Sequence, residues 1–281
     1  MTTSKIKRFQ QLSIIAAAAT LAACGGGGDG GGGAGLLPIT ATTPTAPPAP
    51  PPPPPAPPAP APAPATADSS ACTNAADYDE GTQLTYDLQM TTPNQPTTST
   101  HNSVTTGKRQ PFAGATPVTF EQTLFDANNT PFATLPYYRD LVGGNVIRYG
   151  DTTGSGSTQV DSVFTPPPST PVAMQPGQTV NVAYRADAVS GNATIKVNVT
   201  EALTYQAQET LATPVGTFNT CRFLLVTTTG TNNAPGVTVT VTSWIAAEGP
   251  YRGQRLKSFV APTDKVPEST SVVTQMTYTP K

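Results

Sequence analysis

Residues 179–200 read TVNVAYRADAVSGNATIKVNVT. Along Thr179–Asp187, Val180, Val182, Tyr184 and Ala186 fall on one side of an extended chain, with Asn181, Arg185 and Asp187 on the other. In Ala193–Thr200, Ala193, Ile195, Val197 and Val199 alternate with Thr194, Lys196, Asn198 and Thr200. A period of two marks a strand with one covered face. Ser190-Gly191-Asn192 supplies turn chemistry between the halves. The stretch predicts a β-hairpin with one wet face.

The pattern spreads in both directions. Leu203–Thr210 alternates weakly, and Thr213-Pro214-Val215-Gly216 turns the chain. Phe223-Leu224-Leu225-Val226 is apolar at every position, which predicts a central strand covered on both faces. After turn residues at 230–236, Val237, Val239 and Val241 oppose Thr238, Thr240 and Thr242. Leu256–Val260, Val272–Tyr278 and, upstream, Leu84–Met90, Val118–Phe125, Asn145–Tyr149 and Val160–Phe164 also read as strands. Asp140-Leu141-Val142-Gly143-Gly144 reads as a turn or helix end. About ten short strands joined by Gly, Pro and Asn turns predict an all-β fold, a single antiparallel domain over 68–281. A curved sheet or half-barrel, a sandwich and a closed barrel all fit the spacing. A membrane-spanning barrel does not, because its outer surface needs an apolar band and the outward positions here are Thr, Asn and Lys.

The chain ahead of this domain has another character. Lys5, Lys7 and Arg8 precede the apolar run Leu12–Ala23. A permanent span needs about 20 apolar residues, so the run reads as the core of an export signal. It closes on Leu21-Ala22-Ala23-Cys24, which resembles the bacterial lipobox. That resemblance implies a signal peptide over 1–23, removed in maturation, and a diacylglyceryl thioether on Cys24 with an acylated amino terminus, palmitate being the expected acyl class. Several acyl chains anchor stably where one does not. Gly25 stands where Asp would favour the inner membrane, so the expected location is the outer membrane, facing the periplasm or the cell surface. The alternative is an ordinary signal peptide cut after Ala23. Residues 24–67 read as a disordered linker: a Gly-rich coil, the small apolar island Leu36-Leu37-Pro38-Ile39, then Pro and Ala from Pro44 to Pro64. Proline-rich chain extends about 3.1 Å per residue, giving a semi-rigid stalk of roughly 65 Å.

With Cys24 lipidated, Cys72 and Cys221 remain as an even pair in an oxidising compartment, which predicts a disulfide. No Cys-X-X-Cys supports a redox role. His101 is the only histidine, lies in the polar stretch Thr100-His101-Asn102-Ser103, and has no Gly-X-Ser-X-Gly elbow to serve; it reads as a solvated surface residue. Metal ligands are too few for zinc. Asp77, Asp79 and Glu80 read as an acidic loop. With 15 Lys and Arg against 17 Asp and Glu, the chain has no basic footprint for nucleic acid. The groups suited to ligand contact are Tyr137, Tyr138 and the adjoining Arg139, then Trp244, Tyr251, Arg252 and Arg255, which combine flat rings with cationic donors.

Thr213-Pro214-Val215-Gly216-Thr217-Phe218, Cys221-Arg222-Phe223, Trp244 and Leu256-Lys257-Ser258 together are similar to the C-terminal half of uncharacterised proteobacterial periplasmic proteins and lipoproteins. The likeness covers roughly residues 213–258 and departs at Glu248–Gly253, where the family's turn is tighter. It implies a curved antiparallel sheet or half-barrel like the lipoprotein carriers LolA and LolB, and it brings no catalytic residues. The expected function is therefore a non-enzymatic lipoprotein, without cofactor, whose β-domain serves binding or envelope architecture and meets an envelope protein, a glycan or a lipid. A periplasmic carrier holding an apolar ligand on the concave face is the alternative. A hydrolase is a third reading and would need a cleft with convergent acids.

Overall fold

The computed structural model describes residues 67–126, 128–153, 159–190, 193–231 and 234–281. The signal peptide, the lipobox with Cys24 and the tether read from the sequence lie outside the described residues. So do the turn residues Gly191, Asn192, Asn232 and Asn233.

The described residues form thirteen strands: β1 (Gln83–Thr91), β2 (Thr98–Arg109), β3 (Val118–Phe125), β4 (Pro131–Val142), β5 (Asn145–Thr153), β6 (Val160–Thr165), β7 (Ser169–Pro171), β8 (Thr179–Ser190), β9 (Ala193–Thr213), β10 (Gly216–Thr231), β11 (Ala234–Ala246), β12 (Arg255–Val260) and β13 (Ser269–Thr279). Twelve of them follow one another as β4-β3-β2-β1-β13-β12-β11-β10-β9-β8-β6-β5, and pairing of β4 with β5 closes the ring. Strand β7 is a short extension along β5. The fold is thus all-β and antiparallel in one domain, and its curvature runs to full closure. Closure removes the exposed edges that an open sheet leaves. β-Bulges in several strand pairs supply the extra twist and bend this requires.

The alternation read at 179–200 is kept. Val182, Tyr184 and Ala186 of β8 share a face with Glu201, Val199 and Val197 of β9. Through β10 and β11 that face continues to Leu225 and Val241, and it is the interior. Three expectations change. Phe223 and Leu225 point inward but Leu224 and Val226 point outward, and all four are half-buried, so this strand is not covered on both faces. Strands β2 and β4 were not expected, since the first is nearly all polar and the second carries Pro131 and Pro136. Both prolines pair with β3, and pairing with β5 begins only at Tyr137, so neither proline is flanked on both sides. Asp140–Val142 belongs to β4, leaving only Gly143 and Gly144 as the turn.

One end of the barrel is stoppered by the start of the domain. Asp68 and Asn74 cap two single-turn 3-10 helices, Ser69–Cys72 and Ala75–Tyr78, by accepting from the amides of Ser70 and Ala76. Ser69 Oγ donates to Val172 O at 2.6 Å, Thr106 Oγ1 to Asp77 O at 2.7 Å and Tyr205 Oη to Ala67 O at 2.9 Å. Gly253 has φ +86°, and a Cβ there would lie 2.9 Å from that of Asn74, so the close fit requires glycine. A disulfide joins Cys72 to Cys221 with the Cα atoms 6.1 Å apart. Cys72, Met174, Tyr205, Cys221 and Ala247 form the buried core at this end.

Beyond the stopper the interior is not filled. Rings of about eight strands are just filled by side chains, and those of about sixteen hold water channels. Here Leu88, Leu203, Leu225 and Val241 point inward yet stay only half-buried, as side chains bordering an open lumen do.

Candidate binding site in the barrel lumen

Two bulges put arginines where alternation would not. In β12, Lys257 pairs with Trp244 on the outer face, and the next pair is Arg255 with Ile245. Leu256 is the extra residue, so Arg255 turns inward beside Ile245 and Cys221. In β5, Gly150 pairs with Tyr138 on the outer face, Tyr149 is extra, and Arg148 turns inward opposite Arg139.

Arg139 and Arg255 stand among tyrosines. The Arg139 Cζ lies 4.6 Å from the centre of the Tyr137 ring, which stacks on Phe120 with centroids 5.0 Å apart. Burial pushes the Tyr137 hydroxyl up to about 12 and raises that of Tyr86. The Arg255 side chain is exposed by surface area. Burial nevertheless lowers its guanidinium below the ordinary arginine value; Tyr86 opposes that shift and Arg139 adds to it. A group that touches solvent and is still desolvated stands in an enclosed wet space. Neither Arg139 nor Arg255 forms an ion pair among the described residues.

Arg148 is different. It ion-pairs with Glu201 and sits 5.7 Å from the Tyr184 ring centre, while Tyr184 Oη donates to Glu201 Oε1 at 2.8 Å. Burial pulls its guanidinium down, and the Glu201 carboxylate outweighs this and holds it above the usual value. This network is closed on itself. Deeper, at the stopper, Asp77 Oδ1 accepts from Tyr278 Oη at 2.7 Å and from Gln254 Nε2 at 2.8 Å. Desolvation by burial lifts its carboxyl to about 6 against those two bonds. The acidic loop expected at Asp77 is therefore a half-buried acid in a bonded cluster, while Asp79 and Glu80 stay exposed.

Of the seven residues the sequence marked for ligand contact, the structure gathers Tyr137, Arg139 and Arg255 in the lumen. Tyr138 is outside, its ring stacked on Phe112 at 3.7 Å. Trp244 is also outside; its Nε1 donates to Glu209 Oε1 at 2.5 Å, and Lys257 Nζ lies 4.8 Å from its ring centre. Tyr251 Oη donates to Met276 O, and Arg252 Nε donates to Ala71 O, so both secure the stoppered end. His101 is not a free surface histidine. It is half-buried, with Nδ1 2.5 Å from Asp87 Oδ1 and its ring 4.9 Å from that of Phe125. A shallow trough of about 350 Å³ on the outer wall runs over Asn181, Ala183, Thr200 and Val226, across the sheet from the arginines. Among the described residues no group of His, Cys, Asp and Glu could hold a metal ion.

Fold and site define an antiparallel β-barrel with one stoppered end and a cationic, tyrosine-lined lumen. No family model matches the chain, and no curated protein matches it by sequence. Among solved structures it is similar to a protein from Bacteroides fragilis described as exported, with a YmcC-like fold, at TM-score 0.44 and 15% identity over 71% of this chain and 96% of that one. A protein from Parabacteroides distasonis described as a lipoprotein gives TM-score 0.43 and 9% identity over 71% and 96%. The hypothetical lipoprotein YmcC of Escherichia coli gives 0.33 and 12% over 71% and 86%.

Proposed function

We propose that the protein is a non-enzymatic binding module of the cell envelope, moored by a lipid on Cys24 to the outer membrane, with the barrel lumen as its binding chamber. Arg255 carries this reading. It is a guanidinium with no ion-pair partner among the described residues, turned inward on β12 and open to solvent inside a closed barrel, where it is free to take an anion. A purely architectural barrel would fill its interior, whereas inward apolar groups here are left half-covered. The lipobox resemblance at Leu21–Cys24 supports the anchor.

Native mass spectrometry of the protein taken from the cell envelope tests the chamber. A small molecule bound to the intact protein is expected, and its repeated absence would count against the reading. Cys24→Ser tests the anchor: the protein is expected to leave the membrane fraction, and persistence there would overturn the lipid assignment.

A further inference from the structure

The unpaired charges and the apolar row farther along the same wall say what kind of molecule the lumen accepts. Arg139 and Arg255 are close enough to repel each other. Of the nearby acids, Asp151, paired with Tyr137, is drawn to Arg139 and also accepts from Ser162, while Tyr278 and Gln254 hold Asp77, so Arg255 is the arginine left with no acid facing it among the described residues. The third lumen arginine, Arg148, is neutralised by Glu201. Two like charges in an enclosed space are relieved by an anion between them. Tyr86 and Tyr137 are protonated at neutral pH like any tyrosine, and burial only raises them further, so both hydroxyls are donors facing the same space. Farther along the same inner wall from Arg255, past the Ser243–Ser258 pair, Val260, Val241, Leu225 and Leu203 are paired side by side across β12, β11, β10 and β9. All but Val260 are half-buried, so this inward row offers uncovered apolar surface.

Building on the binding-chamber reading, we propose that the lumen takes an anionic amphiphile, with a phosphate or carboxylate head between Arg139 and Arg255 and an acyl tail along Leu203, Leu225 and Val241. The polar end lies toward the stopper and the tail lies farther along the wall.

The full chain carrying Cys24→Ser, recovered without detergent, is titrated calorimetrically with dodecyl phosphate, laurate, inorganic phosphate and dodecyl maltoside. Both alkyl anions are expected to bind. Arg255→Gln and Arg139→Gln are each expected to weaken them by about tenfold or more, the loss of a charge-assisted hydrogen bond. Arg255→Lys should lose less. Arg185→Gln, on the outer face beside Asp187, should lose nothing. Thermal unfolding establishes that each variant folds; should one glutamine variant fail, the other carries the comparison. Equal affinity for dodecyl maltoside, equal affinity for inorganic phosphate, or unchanged binding in the glutamine variants would each overturn the proposal. If no alkyl anion binds while envelope-derived protein carries some other molecule, this inference falls and the binding-chamber reading stands.

Discussion

Asp77→Asn is expected to stabilise the barrel at neutral and alkaline pH and to flatten its response to acid. In the native protein burial raises the Asp77 carboxyl from 3.8 to about 6. The folded state therefore binds this proton more tightly than the unfolded chain. Stability from this group is fully present below about 3.8 and is lost as pH rises through about 6. A difference of about two pH units corresponds to roughly 3 kcal/mol of stability missing above pH 7. Asparagine keeps the oxygen that accepts from Tyr278 and Gln254, and it carries no charge to desolvate. Urea unfolding of both proteins at pH 4 and pH 8 reads the effect. The two should be nearly equal at pH 4, with the variant ahead by about 2 kcal/mol at pH 8, given relaxation around a half-buried site. Equal pH slopes, or a variant weaker at pH 8, would refute the reasoning that desolvation dominates this cluster.

Removing the disulfide with Cys72→Ala and Cys221→Ala should cost about 5 kcal/mol by chain entropy for a separation of 149 residues, measured as a shift in denaturant midpoint under non-reducing conditions. A shift below about 1 kcal/mol would refute the chain-entropy reasoning for this bond. Gly150→Ala should cost about 3 kcal/mol, because the added Cβ would lie 2.1 Å from Ser162 O and 2.8 Å from the Phe112 ring. An unchanged melting temperature in that variant would show that β5 and β6 separate without penalty.

The sequence shows the strands whose faces differ in polarity. Thr179–Thr200 and Val237–Thr242 alternate because one side faces the interior, and the structure keeps that assignment. Strand β2 is invisible by that criterion, since Thr98–Arg109 is polar on both faces and is held by backbone pairing with its chain neighbours β1 and β3. The pairing of β4 with β5 is a local hairpin over Gly143 and Gly144, but the ring also needs β1 to pair with β13 from the opposite end of the domain, and no local pattern encodes that. The pairing of Cys72 with Cys221 is readable because only two cysteines remain for the domain. The lumen site is half readable. Tyr137 and Arg255 stand out as ring and donor, but Arg148 and Arg255 face inward only because of bulges at Tyr149 and Leu256, which break the alternation a reader relies on. Tyr86 and Glu201 gave no signal beyond their places on strands. Trp244, the sole tryptophan, attracts notice by its size and turns out to clamp Glu209 on the outer wall.

The covalent link at the stopper also decides how the domain bears mechanical load. A pull applied upstream of Ala67 reaches Cys72 and passes across the sulfur bridge to Cys221. That residue sits in β10, which is bonded along its length to β9 and β11. Tension thus enters in shear at the long strands of the wall and bypasses β1, so it does not unzip the ring from its first strand. Under oxidising conditions the residues between the two cysteines are shielded from the force and contribute no extension.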